Sequence, residues 1–434
     1  MTALPDIAWP TPPAEPAHVQ RWREEARERL AALGLPGPQD EHWRRASFKF
    51  LAALAQGQGG RAEAPSSDAP AVPAEAPAGL SQLLFVDGRF DAHGSTLPDD
   101  DAASIARLQA ALRATQPASR PWLPNAALAG DQRLALVNHA LGADGTRIVV
   151  HRGRSPVRPI LLAHRGALAH EGVTALSHSL SLEAGASALL IELHDERCSA
   201  ARTLLNELRI ELGAGASLTH LRLVAPTHAS HWVDTLTVEL GRDARYVQRA
   251  LFAPLRALRS TQHIRLLGTG AEAALHTGVV AARGADCDLR VVTQHEADHT
   301  RSDQTIHVLG GSGRATIDSE AEVPAGRRAV RSLQSLRALQ LEGTCDIALR
   351  PRLAIRSDDV DCKHGATTSA FSDDQLFFLR SRGLARSEAL RLLAAAHLQQ
   401  LFPTLGEPVD ALLQPLLQAA LGSAIDTEAH DEAR

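Results

Sequence analysis

Between about residues 125 and 355 the chain alternates apolar and polar positions in short runs, and a glycine turn follows each run. "LSLEAGASALLIEL" (180–193), "IELGAGASLTHLRL" (210–223), "VELGRDARYVQRAL" (238–251) and "IRLLGTGAEAALHTGVV" (264–280) share one pattern, and "IHVLGGSGRATIDSEAEV" (306–323) reads as another copy. Their starts lie 30, 28, 26 and 42 residues apart. Period-two alternation with small residues at the corners predicts strand–turn–strand units. Imperfect repeats at this spacing point to a solenoid, in which no unit can bury its apolar face until the next one stacks on it. A β-sandwich with irregular hairpins is the alternative; the many Gly-Ala and Gly-x-Gly corners favour the solenoid.

Helical periodicity flanks this region. "HVQRWREEARERLAALGLP" places Val19, Trp22, Ala26, Leu30 and Leu33 on one face and stops at Gly34 and Pro36. "DEHWRRASFKFLAAL" follows, with Trp43, Phe48 and Leu51 as packing residues. Residues 56–79 have the Ala/Pro/Gly composition of a flexible linker. "LLFVDGRF" predicts a hairpin around Asp87-Gly88, and a second helical piece is expected over about 101–115. Near the other end, Ser372 and Gln375 form a capping-box pair, and Gly383 is a C′ glycine. "LARSEALRLLAAAHLQQLF" carries Leu390, Leu393, His397 and Leu401 at helical spacing, and a short helix with a frayed polar end is expected beyond it. The chain thus divides into a helical region (1–55), a linker (56–79), a hairpin and helix completing the N-terminal domain (80–120), a β-solenoid core (121–370) and a C-terminal helical domain (371–434).

Composition narrows the function classes. Aromatic residues make up 3% of the 434, so the core must be aliphatic, and a ring-lined carbohydrate groove is not expected. A net charge of −5 gives no footprint for nucleic acid, and no apolar run is long enough to span a bilayer. "MTALPDIAWPTPPAEP" has neither a basic nor an apolar leader segment, and Cys198, Cys287, Cys345 and Cys362 form no CxxC pair. A cytoplasmic protein with reduced thiols is the expectation.

Two polar clusters stand out. "QHEADHTRSDQTIH" holds His295, His299 and His307, and Asp298 and Asp303 beside them. His-x3-His on a helix would suit zinc, and paired carboxylates would suit a β-helix polysaccharide lyase or hydrolase. The flanks are strand-like, however, and although Glu296 stands at the second position, no third ligand is apparent. "SDDVDCKHG" places Cys362 and His364 two residues apart, next to Asp358 and Asp359. On an extended strand the two would share a face. A thiolate and an imidazole suit iron or an iron–sulfur species, but two ligands do not close a site. No phosphate-binding loop, dinucleotide fingerprint or GxSxG elbow occurs.

"LAIRSDDVDCKHGATTSAFSDDQLFFLRSRGL…EALRLL" resembles the C-terminal signature of the SufB/SufD family of the SUF iron–sulfur assembly system, on its SufD-like branch. "DEHWRRASF", "LVNHALGADGTRIVVHRG" (136–153) and "HTRSDQ" (299–304) extend the resemblance over nearly the whole chain. It implies a right-handed parallel β-helix between N- and C-terminal helical domains. It also implies a non-catalytic scaffold that pairs with a SufB-like paralogue through the β-helix and binds a SufC-like ABC-type ATPase through the C-terminal helices. His364 matches the family histidine that faces a SufB cysteine, and Cys362 matches a family cysteine. Both would contact a transient iron–sulfur cluster shared with SufB, with no cofactor held stably by this chain alone; nothing in the sequence speaks to a flavin. The chain departs from the family pattern at Cys345, at "ALRPRL" and in the strand "SLQSLRALQ", which lacks the SufB-type cysteine. A purely structural solenoid adaptor is the remaining reading.

Overall fold

A computed structural model describes residues 15–46, 78–98, 100–108, 110, 133–141, 144–166, 172–196, 202–341 and 345–425. Its strands form a parallel β-solenoid of about seven turns. From Thr146–Val150 onward consecutive strands alternate between a nine-stranded and a ten-stranded sheet, so each is hydrogen-bonded to the strand two places away in sequence. Ser187 lies beside Ser217, and Ser217 beside Arg245. Turn length varies: Val238 pairs with Ile264, 26 residues on, and Arg314 with Asp346, 32 residues on. Aliphatic side chains from the inner faces of both sheets fill the core, with Tyr246 and Phe252 among the few rings.

Four of the five repeat copies straddle one corner of the solenoid. The copy at 306–323 straddles the opposite corner, between strands Arg301–Gly310 and Arg314–Val323, which accounts for its 42-residue offset. The first corner is built on a column of left-handed residues, with φ of 71° at Gly185, 65° at Gly215, 55° at Asp243, 75° at Gly270, 58° at His299 and 52° at Ala329. Each donates its backbone N–H to the next turn, as Gly215 does to Arg242 O (2.8 Å) and His299 to Arg328 O (2.9 Å). The last bond of the column runs from Ala329 N–H to the Asp359 carboxylate (3.1 Å). His299 is thus a corner residue, filling a slot that glycine holds elsewhere.

The helices cover the outer faces. α1 (Ala17–Leu33) and α2 (Arg133–Leu141) pack on the nine-stranded sheet through Ala26, Leu30, Leu134 and Val137. Leu33, expected on the packing face of α1, is exposed; Arg23 is buried instead, ion-paired with Glu15 and donating to His139 O (3.0 Å). A 3-10 turn (Glu41–Trp43) straps the same sheet further along, with Trp43 fully buried under the Arg259 guanidinium, 4.3 Å from its ring centroid. After α3 (Asp373–Arg380), helices α4 (Arg386–Gln399) and α5 (Val409–Ile425) lie on the ten-stranded sheet. α4 approaches closely at Gly278, where an added Cβ would stand 3.3 Å from the Leu398 side chain. α5 is no short helix: seventeen residues long, it buries Val409, Leu413, Leu417, Leu421 and Ile425 along one face.

Two further expectations need correction or limits. The hairpin at Asp87-Gly88 forms between Ser81–Val86 and Arg89–Thr96, and its first strand also pairs parallel with Ile160–Gly166, joining the hairpin to the solenoid. The helix expected over 101–115 begins instead as strand Ala103–Arg107, antiparallel to Thr146–Val150. Ala103 and Ile105 pack against the core, and the open sheet edge supplies the hydrogen bonds a helix would have made internally. Phe48, Leu51, the linker at 56–77 and residues 111–115 lie outside the described residues. Among the described residues no helix is long and apolar enough to cross a membrane.

The left-handed corner carries a strain that glycine relieves. Ala329→Gly is therefore expected to stabilise the chain, by roughly 1 kcal/mol. Urea unfolding checks this through a higher midpoint at unchanged slope; an unchanged or lower midpoint contradicts it.

Candidate functional site

The last strand of the ten-stranded sheet, Val360–Ala370, pairs on one side with Val330–Gln340 and has no strand on the other among the described residues. Cys362 lies opposite Ser332, and His364 opposite Gln334. Ser332 and Gln334 are buried while Leu333 between them is exposed, so the inner face of the solenoid runs through 332 and 334 and continues through Cys362 and His364. Among the described residues nothing stacks on this final turn, and His364 is exposed and Cys362 half-buried. Lys363 points the other way, beside Asp361 (3.2 Å). The final strand of the nine-stranded sheet, Asp346–Ile355, is open in the same manner.

Burial pushes the Cys362 thiol above its ordinary range, against a hydrogen bond from the Ser332 backbone. In the isolated chain it is a thiol and not a poised thiolate. Just beneath, Gln334 is buried with neither amide atom hydrogen-bonded. A buried amide with both ends unpaired costs several kcal/mol, on the order of 2 for each group. Two neighbouring residues serve the fold: Asp359 caps the corner column described above, and Ser357 Oγ donates to Arg327 O. Among the described residues, Cys362 and His364 gain no third metal ligand from this chain.

The other sequence cluster is dispersed. His295 is buried inside the solenoid, bonded to Thr300 Oγ1 (2.8 Å) and Ser302 Oγ (2.9 Å). His299 sits at the corner, and His307 lies on the outer face, donating from Nδ1 to His397 O (2.7 Å) beneath α4. Asp298 accepts from Arg328 N–H (3.1 Å) and Asp303 from Thr305 Oγ (2.9 Å). No zinc triad or catalytic carboxylate pair is assembled from these residues.

Sequence reasoning missed a buried polar file. His164, His178, Glu192, Asn206, His220, Asp234, Gln248 and Gln262 are all buried inside the solenoid, and each follows the last by 14 residues, close to half a turn, although the register partner of His164 is His194 and that of Asp234 is Ser260. Thr146 N–H donates to His178 Nδ1 (3.2 Å), so His178 carries its proton on Nε2 and donates it to His164 Nε2 (3.1 Å). His164 then donates from Nδ1 to His194 Nδ1 (3.1 Å), and His194 from Nε2 to Glu192 Oε1 (2.9 Å). Arg222 joins the two carboxylates, giving Nε to Glu192 Oε2 (2.7 Å) and Nη2 to Asp234 Oδ1 (2.8 Å). Asn206 Nδ2 bridges the same pair at 2.7 and 2.9 Å. Burial alone would raise the Glu192 carboxyl, but Arg222 and the histidine bonds hold it well below its ordinary range.

At the C-terminal side, Ser372 Oγ accepts the Gln375 N–H (3.1 Å) and starts α3, a helix with no buried residue. Phe377 is 74% exposed and Phe378 54%, the latter under the Arg382 guanidinium (3.5 Å). Two adjacent phenylalanines are thus exposed in a chain with few aromatics.

Comparison with known proteins gives this geometry a context. Residues 167–397 match the family model described as SUF system FeS cluster assembly, SufBD core domain. The iron-sulfur cluster assembly protein SufD of Escherichia coli is 27% identical over 388 residues, 86% of each chain. The chloroplastic protein ABCI7 of Arabidopsis thaliana is 29% identical over 140 residues, 32% of this chain and 30% of that one. A SufBD family protein of Mycobacterium leprae is 28% identical over 161 residues, 37% of this chain and 18% of its own.

The interior histidines give the fold a pH dependence. Burial lowers His178 and His295 to about 4 from an ordinary value near 6.5. The folded state therefore binds fewer protons than the unfolded one between these limits, and stability is complete above pH 6.5 and falls as pH drops toward 4. At pH 5 each such histidine is expected to cost about 2 kcal/mol. Urea midpoints at pH 7.5, 6 and 5 test this; a flat profile would contradict it.

Proposed function

This chain belongs to the SufB/SufD family of the SUF iron–sulfur assembly system and is SufD-like within it, and on that premise we propose that it is a non-catalytic scaffold subunit on which a nascent cluster is assembled in the cytoplasm and passed on. The observation that carries the proposal is the unpaired terminal strand that presents Cys362 and His364 on the inner face of an open solenoid end. An exposed strand edge is a template for pairing with another chain. A SufB-like paralogue docked there would continue the sheet, cover Gln334 and bring the ligands this chain lacks. Iron and sulfide are cargo in this reading, held by half a site from each subunit.

The exposed aromatic pair on α3 supports docking of a SufC-like ABC-type ATPase at the C-terminal helices. The helices α4 and α5 anchor that surface rigidly to the solenoid, so a movement imposed on α3 would be felt at the sheet it caps.

Two experiments separate these parts. His364→Ala should leave folding and partner binding intact while lowering cluster-bound iron and acid-labile sulfide in the anaerobically purified complex, by roughly tenfold or more. Unchanged iron and sulfide would remove His364 from the site. Phe377→Asp with Phe378→Asp should weaken ATPase binding by about 2 kcal/mol, roughly thirtyfold, without reducing pairing to the paralogue. Titration calorimetry with each partner reads the two interfaces separately, and equal ATPase affinity in the variant would move the docking surface elsewhere.

A further inference from the structure

The buried file begins with donor atoms that converge. His164 Nδ1 stands 3.3 Å from His194 Nε2, and His194 Nε2 stands 2.9 Å from Glu192 Oε1. One ligand atom from each of these three residues lies within 4.8 Å of the others. Four donors at about 2.0–2.1 Å around a tetrahedral zinc ion would stand roughly 3.3 Å apart, close to this spacing. His164 and His194 are register partners on adjacent turns, and Glu192 precedes His194 by two residues on the same face. The solenoid repeat itself therefore sets the arrangement.

Charge points the same way. Glu192 and Asp234 share a single guanidinium, Arg222, so two carboxylates face one fixed cation within this enclosed cluster. A divalent ion beside Glu192 would supply the missing positive charge. Its binding changes tautomers and releases no proton overall. His164 moves its proton from Nδ1 to Nε2 and donates it to His178 Nε2, while His178 moves its own proton to Nδ1, gives up the bond from Thr146 N–H and donates instead to Thr146 Oγ1, 3.1 Å away. His194 moves its proton to Nδ1. Asn206 and Arg222 keep their bonds to Glu192 and hold the carboxylate in place.

We propose that His164, His194 and Glu192 bind one divalent transition-metal ion of the zinc type inside the first turns of the solenoid, with His178 as the outer hydrogen-bond partner. Imidazole and carboxylate donors without sulfur select a borderline ion over a soft one. All three ligands are at most 2% exposed, so the ion enters while the chain folds and stays. This site is independent of the open end, on the far side of the molecule's turn order, and stands whether or not Cys362 and His364 touch a cluster.

The test is to unfold the full-length chain in denaturant with chelator, refold it with Zn2+ or Co2+ alone, desalt it and measure bound metal. One equivalent is expected in the wild type and in the Cys362→Ala, His364→Ala double variant, and loss of it in His164→Gln and Glu192→Gln. The cobalt form gives a readout that needs no interior variant: a visible tetrahedral band without thiolate charge transfer. Less than a tenth of an equivalent in the refolded wild type would overturn the site. So would metal lost on changing Cys362 and His364, or a thiolate band in the cobalt spectrum.

Discussion

The backbone hydrogen-bond ladder between successive turns is the constraint on which the rest of this molecule depends. Because each strand pairs in parallel with the strand one turn away, every residue stacks on its equivalent, Leu218 on Tyr246 and Ile306 on Leu336 among many. Position along the turn thereby becomes position in the molecule. One column is corner, one is aliphatic core, one is polar interior. Stacking also means that the final turn is chemically unlike the others, since the groups that would be sandwiched elsewhere are open there.

An aliphatic file through the interior would cost less to bury than this polar one. Removing carboxylates and a guanidinium from water costs several kcal/mol per ion, and this is recovered only when every lone pair and proton is matched. Here Arg222, Asn206 and Ser260 converge on Glu192 and Asp234 with contacts of 2.7–2.9 Å, while Arg222 Nη1 and Asn206 Oδ1 find no hydrogen-bond partner among the described residues, so the recovery is incomplete. Such a network works for one strand register only. A slip by one residue would turn His164 or Asp234 onto the outer face and strand its partners. The apolar columns, mostly Leu, Val, Ile and Ala, would tolerate a two-residue slip, which keeps the face, far better.

Much of the architecture was legible in the sequence, since glycine corners and period-two runs recur within a few residues and report local geometry. The SufB/SufD resemblance was legible for the same reason: its motif around Cys362 and His364 is contiguous. The polar file was not, although its 14-residue step is regular. Single polar residues spaced half a turn apart look like noise in a short window, and only the sheet pairing turns them into neighbours. His295, His299 and His307 misled in the opposite sense, being close in sequence yet sent to the interior, the corner and the outer face. Strand Ala103–Arg107 and the length of α5 depended on a sheet edge and a sheet face made by distant residues, which no local propensity encodes.

The N-terminal strap ties together parts of the chain that are made far apart in time. Arg45 pairs with Asp346 and Arg352 with Glu41, contacts spanning 301 and 311 residues. The strap's docking face, running from Arg259 to Arg352, does not exist until the late turns are stacked. A segment synthesised first must therefore wait for nearly the whole solenoid before it can bind. Loop closure over such a distance adds little to the equilibrium cost, because that cost grows only with the logarithm of length, but it slows folding. The strap works as a latch on completion: it closes on a finished solenoid and finds no seat on a truncated one.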